Sequence, residues 1–542
     1  MTRLPVILAA AAALSAVLGA GAAPACTDIL VTPGASADGS AVVTYNCDGE
    51  FHPHLRITPA ADHAPGDSLR IDGPAGPVMI PQPAHTWAVA GLINERQVSI
   101  GESTFGGRAE LRDPDGLFQY WTLMRLALQR AATAREAVAV ITSLADRYGY
   151  RGPGESFSIA DPHEVWLLEL AGAGPGSGCA VWVARRVPDG MITAHANMAR
   201  IGVVPRDDPD CLCSDNLERV AAAHGWYDPA AGRPLHFQRT FDPAGPAKRR
   251  TCAMRVWSIY RRAAPSRDWP DAYVRGEADA PELPLFVRPD RPLTLADVMA
   301  LNRDHYEGTP FDMTRGLDAG PFGSPLRNRP LTWEVDGVRC AWERPISTQQ
   351  TGFSMICQSR AGLPDPVGGV MWYGVDDTDA TCWFPVWCGV TDVPPSFAAG
   401  SLQRFSRDSA WWVFNLVSNY AQLRYRDMIA DIRAVQRELE GEFLARQPEV
   451  ERIAVELYGL DPALARSYLT RTSVAWGERT AARWRELADD LLTRYNDGFV
   501  QEAPGRPRAR GYPAAWYRAV LRARGDVLRL PAPPDTSVGR DY

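Results

Sequence analysis

A cysteine follows a run of small residues in "GAAPACTDILVT", residues 21–32, and its place in the chain decides the chemistry open to it. Upstream stand one early cation, Arg3, an apolar run from Val6 to Leu18, and Ala23 and Ala25 spaced as A-x-A, which is the layout of a secretory signal peptide covering residues 1–25. Cleavage after Ala25 makes Cys26 the mature N-terminus. Its α-amine then titrates near pH ~8 within reach of its own thiol, so one residue supplies both nucleophile and general base. The pairing suits amide hydrolysis: the thiolate attacks a carbonyl, the amine hands its proton to the leaving nitrogen, and water releases the acyl group by the reverse route. Such a site also needs a group to orient the amine and donors for the oxyanion. Two other readings fit the same residues. Cleavage a residue or two away leaves Cys26 for a disulfide. Lipidation of Cys26 makes an anchored, non-catalytic binding protein, although Ala23 stands where bacterial lipidation favours a branched apolar residue.

The elements that must position this cysteine are readable downstream. "TDILVTPGASADGSAVVTYN" holds two apolar segments around Asp38-Gly39 and predicts a hairpin. "TWAVAGLINERQVSIGEST" predicts a second, turning at Asn94-Glu95-Arg96. "FQYWTLMRLALQRAATAREAVAVITSLADRYG" has helical spacing in two stretches that break near Thr133. Strand candidates follow in "SFSIADP", "EVWLLELAG" and "CAVWVARRVPDGMITAHAN". Strands, a helix pair and strands again predict a layered α+β domain. Residues from about 205 to 290 are rich in Pro, Asp and charge and read as loops, with turns and short strands from 305 to 395. Residues 401–500 carry helical stripes and read as an accessory helical region, and 501–542 as a loosely ordered, basic, Pro-rich tail with no clear period until "AAWYRAVLRARG".

Composition narrows the class. The chain of 542 residues has 46% hydrophobic and 22% charged residues, globular values, and a net charge of −7 that argues against nucleic acid as partner. After the leader no stretch of some 18 uncharged apolar residues occurs, so no stable membrane span is expected. Ten cysteines form no C-x-x-C pair, and once Cys26 is set aside an odd number remains, so at least one of them is unpaired. His52 and His54 in "FHPHL" lack a third metal ligand nearby in sequence and read as surface or cleft residues. "DDTD", residues 376–379, lacks the glycine and glutamate of a calcium loop and reads as a solvated turn. His195 reads equally as a cleft residue or as a core histidine bonded to backbone.

The opening "CTDILVTPGASADGSAVVTYNCD" resembles that of the secernin-type cysteine dipeptidases, which are N-terminal-nucleophile hydrolases related to penicillin V acylases and bile salt hydrolases. "NERQVSIGESTFGGR", "GESFSIADPHEVWLLEL", "VWVARRVPDGMITAHANMARI", "RDHYEGTPFDMT" and "TGFSMICQSRAGLPDPVGGVMWYGVDD" resemble later blocks of that family in order, covering Cys26 to about 430. The resemblance implies a four-layer αββα sandwich over 26–400 and an exported, cofactor-free and metal-free dipeptidase acting on short peptides, with an N-acyl amide hydrolase as the alternative. By the same resemblance Cys26 is the nucleophile, Asp48 orients the α-amine, Asn197 and the backbone amide of Thr104 serve the oxyanion, and Arg255 stabilises the site from a distance. Read without it, Asp48 and Asn197 are turn or cap residues, Gly106-Gly107 beside Thr104 is a tight turn, and Arg255 lies on an exposed helix face. Tyr45 stands where the acylases carry arginine. A phenol lowers a neighbouring thiol pKa less than a guanidinium does, which favours the dipeptidase side.

Overall fold

The computed structural model describes residues 26–503 and 505–531, so the leader and the last residues of the tail lie outside the described residues. Asp28–Val31 and Ala41–Asp48 form the hairpin expected from the sequence, with Leu30 opposite Val43. Its connection closes because Gly39 adopts φ +73°, a left-handed conformation that glycine takes without a Cβ clash. Asp38 Oδ1 ties the loop by accepting from Ser40 N at 3.1 Å.

This hairpin lies inside a six-stranded antiparallel sheet ordered Ile192–His195, Asp28–Val31, Ala41–Asp48, Thr351–Ser359, Val370–Val375 and Phe384–Trp387. A second, eight-stranded sheet has Gly154–Ala160 and Ser99–Gly106 at its centre, paired antiparallel with Glu102 opposite Phe157. The two sheets stack face to face, and Gly101 of the second lies against Asp28 and Tyr45 of the first. A Cβ there would stand 2.8 Å from Asp28 Oδ2 and 3.0 Å from Tyr45 Cβ, so only glycine allows the approach.

Helices cover both outer faces. Tyr120–Arg130 and Ala134–Tyr148 cover the second sheet, the latter started by Thr133, whose side chain accepts from Glu136 N. Ala410–Ala421, Tyr425–Leu460 and Pro462–Arg494 cover the first, giving the αββα order with a long C-terminal helical region. The helices after residue 401 share the core of the sandwich: Phe414 stacks on Trp484 at 4.7 Å, and Trp476 meets Trp387 of the first sheet at 5.9 Å. Burial of Ile432, Leu439, Phe443 and Leu469 in this layer contributes on the order of 10 kcal/mol of hydrophobic stabilisation.

Three expectations are corrected. "DDTD" is not a solvated turn: Asp376, Asp377 and Asp379 are buried, because Asn415 Nδ2 (2.9 Å to Asp376), Ser347 (to Asp377) and Tyr425 Oη (2.7 Å to Asp379) bond their carboxylates and Arg433 pairs with Asp379. Among its described residues the tail is not loose: it holds a hairpin, Phe499–Ala503 against Arg506–Ala509, and a helix, Ala514–Arg524, over the one stretch with a clear period. The loop-rich middle contains the helix Met254–Ala263, whose inward face carries Arg255.

Candidate active site

Cys26 precedes the first strand, and the ladder extends to it: Thr27 and Asn46 exchange backbone hydrogen bonds of 3.3 and 3.0 Å. That register sets Cys26 opposite Cys47. Both thiols are buried, and between them stands Tyr45, its hydroxyl 3.0 Å from Cys47 Sγ and 3.9 Å from Cys26 Sγ. The second sheet contributes Glu102, whose Oε1 accepts from Cys26 Sγ at 3.5 Å and from the Tyr45 hydroxyl. Behind it lies Glu155, which accepts from Thr104 Oγ1 at 3.0 Å and Tyr150 Oη at 3.4 Å.

Arg255 is fully buried, which corrects its reading as an exposed helix-face residue. A wide π turn, Arg249–Ala253, leads directly into its helix, a distortion common at functional sites. One arm of the guanidinium donates to Cys26 O (2.7 Å) and Thr27 Oγ1 (2.8 Å), the other to Asn197 Oδ1 (3.0 Å) and Ala196 O (3.1 Å). Asn197 holds a left-handed φ of +55°, and its Nδ2 donates to Thr104 O at 2.8 Å. A residue with positive φ is strained unless its surroundings fix it, and Arg255 with Thr104 does so here. One guanidinium thus joins Cys26, Thr27 and Asn197, and Asn197 carries the link on to Thr104.

Asp48 ends the same strand as Tyr45 and Cys47. It is buried, accepts from Thr351 Oγ1 at 2.6 Å and pairs with the buried Arg344. Beside it opens a cavity of about 640 Å³ lined by Asp48, Arg329, Thr351, Trp411, Trp412 and Asn415, the last three from the C-terminal helices.

The profile of Peptidase family C69 matches residues 77–438. The chain belongs to this family. Among curated relatives, a probable dipeptidase of Salmonella dublin is 27% identical over 412 residues, covering 71% of this chain and 86% of its own. The dipeptidase of Bifidobacterium longum is 24% identical over 438 residues (73% and 76%), and dipeptidase A of Lactobacillus helveticus 22% over 428 residues (74% and 82%).

Burial in this C69 chain raises the acidic groups of the cluster above their ordinary values. Burial, the hydrogen bond with Cys47 and the charge of Glu102 push the Cys26 thiol well above its ordinary value, and no arginine opposes them strongly. Burial likewise raises Asp48, which Arg344 partly offsets. Burial, and then the charge of Glu102, raise Glu155. His195 belongs to the core, but its partners are side chains rather than backbone. Ser103 Oγ and Ser158 Oγ each lie 2.6 Å from its ring nitrogens, and Ser158 also donates to Asp28 at 2.9 Å. Burial, then Arg200 and Arg255, depress His195 to about 3, so it is neutral.

The structure therefore brings Cys26, Tyr45, Thr104, Asn197 and Arg255 together through direct bonds, with Asp48 one strand position beyond Cys47. Sequence reasoning missed Cys47, Glu102, Glu155 and Arg344. Cys47 was reachable, since the hairpin register alone puts it opposite Cys26. Glu102 and Arg344 come from other strands and loops and carry no local signal. His52 and His54 have tilted rings 4.9 Å apart and bond to Ser409 and Gly400 rather than to this cluster.

Proposed function

We propose that this C69 hydrolase is an exported dipeptidase of the N-terminal-nucleophile type, in which removal of residues 1–25 frees Cys26 as nucleophile and its α-amine as general base. The observation that carries the reading is the Arg255 clamp, which fixes the backbone of Cys26 and the side chain of Asn197 with one rigid group. A thiol held protonated by burial needs a base, and an α-amine titrating near ~8 on the same residue is suited to the task. The thiolate attacks the peptide carbonyl. Asn197 and the Thr104 backbone stabilise the oxyanion, the protonated amine releases the leaving amine, and water then hydrolyses the thioester. Asp48 orients the α-amine, with Arg344 and Thr351 holding its carboxylate. The cavity beside Asp48 suits a short peptide, and Arg329 on its wall suits a substrate carboxylate. The relatives named dipeptidases support free dipeptides over N-acyl compounds.

The test combines the intact mass of the exported protein with turnover of free dipeptides and N-acyl amino acids. A chain beginning at unmodified Cys26 that cleaves dipeptides, loses that activity in Cys26→Ser and speeds up through pH 7–8 is the expected result. A blocked Cys26 amine, or unchanged turnover in Cys26→Ser, overturns the reading.

A further inference from the structure

We propose that Cys26, Cys47 and Glu102 form an inhibitory binding site for a soft divalent cation of the zinc class, seated on the nucleophile itself. Their three ligand atoms lie within 4.8 Å of one another, the one such group of three or more found among the described residues. Each is placed by the fold. The hairpin register sets Cys47 opposite Cys26, and Gly101 lets the second sheet approach closely enough for Glu102 to reach them.

The edge between Cys26 and Glu102 fits tetrahedral coordination. With Zn–S about 2.3 Å and Zn–O about 2.0 Å, the sulfur-to-oxygen edge of a tetrahedron is about 3.5 Å, and Cys26 Sγ stands 3.5 Å from Glu102 Oε1. Two thiolates and one carboxylate select a zinc-like ion over calcium or magnesium, which take oxygen ligands. Outer-shell support is also present. Tyr45 donates to Glu102 Oε1 and lies 3.0 Å from Cys47 Sγ.

Binding releases one proton from each thiol, and Glu102 binds as carboxylate. Two thiolates, one carboxylate and a divalent cation leave the site with a single negative charge, and the Arg255 guanidinium on Cys26 O stands close by. A fourth ligand, the Cys26 α-amine, would close a five-membered chelate with its own sulfur; this part alone rests on the processing proposed above. A coordinated Cys26 thiolate cannot attack a carbonyl, so the ion silences the enzyme reversibly.

The experiment titrates the reduced mature protein with Cd2+ as a spectroscopic probe, following thiolate-to-metal charge-transfer absorption, and with Zn2+ by calorimetry. Cys47→Ser and Glu102→Gln are titrated in parallel after circular dichroism shows them folded. One equivalent should bind to the parent protein, with affinity reduced by about a hundredfold or more in either variant, since even outer-shell partners of metal ligands are worth ten- to a hundredfold. Dipeptide turnover, taken as a ratio with and without Zn2+, should fall in the parent and be restored by chelator, while the ratio in Cys47→Ser stays near one. Unchanged stoichiometry and affinity in both variants would assign the ion to another cysteine and overturn the inference. Absence of binding by a protein that cleaves dipeptides would overturn it while leaving the proposed function intact. Absence of turnover in chelator, with binding preserved, counts against the proposed function alone.

Discussion

Replacing Arg255 with lysine keeps the charge but removes the geometry, so R255K isolates what the clamp does. The guanidinium donates five hydrogen bonds: to Thr251 O (2.9 Å), Cys26 O, Thr27 Oγ1, Ala196 O and Asn197 Oδ1. A lysine ammonium has three donors radiating from one point, so at least two buried acceptors lose their partner. Each orphaned acceptor costs about 1–3 kcal/mol, and the expected loss of stability is therefore about 2–6 kcal/mol, read from urea unfolding at neutral pH. If the clamp also positions the nucleophile and Asn197, kcat for a dipeptide should fall by about 10²- to 10³-fold, the magnitude for losing one oxyanion donor, with KM changing far less. Burial lowers Arg255 only to about 10, so the parent residue keeps its charge through pH 8, and a rise in rate near pH 8 belongs to the amine. R255K that is destabilised yet turns over at the parent kcat would reduce Arg255 to a purely structural role. R255K that keeps both stability and kcat would refute the hydrogen-bond geometry itself.

Two further perturbations probe the surroundings. His195 is depressed from its ordinary 6.5 to about 3, so the fold favours its neutral form. Its contribution is complete above pH 6.5 and is lost as pH falls toward 3, by up to about 5 kcal/mol. Urea midpoints at pH 7 and pH 4 should differ more in the parent than in His195→Gln, and equal differences would contradict a buried neutral histidine. Asp379→Asn removes the charge that Arg433 meets and weakens the bond from Tyr425, both on the C-terminal helices. A loss of ~3 kcal/mol is expected, with earlier proteolytic cleavage within residues 401–500. Unchanged protease resistance would show that those helices are held without the buried acidic turn.

Local signals carried much of the site and the fold. The Asp38-Gly39 turn and flanking apolar segments defined the hairpin that starts at Cys26, since turn chemistry and alternation act within a few residues. The break at Thr133 was legible because an N-cap is local, and the helical stripes after residue 401 because periodicity needs no partner. The A-x-A pattern ahead of Cys26 raised the N-terminal-nucleophile reading from sequence alone, while the placement of Asp48, Asn197 and Thr104 rested on resemblance. What those stripes pack against was not legible: the stripe shows that a face is buried, and only the tertiary structure shows that the face lies on the strands Val370–Val375 and Phe384–Trp387 and walls the cavity beside Asp48.

Charge was where local reading failed. Arg255 and the 376–379 aspartates looked like solvated surface because isolated charges avoid the interior, yet both are buried, since residues from 30 to 229 positions away supply their hydrogen bonds. Sequence by itself determined the strands, the outer helices and the position of the candidate nucleophile, because each follows from periodicity, turn residues or chain order. The tertiary structure alone decided which thiol and carboxylate face Cys26 and which cation clamps it, because solvation and pairing of buried charges are settled between segments that meet only when the two sheets close.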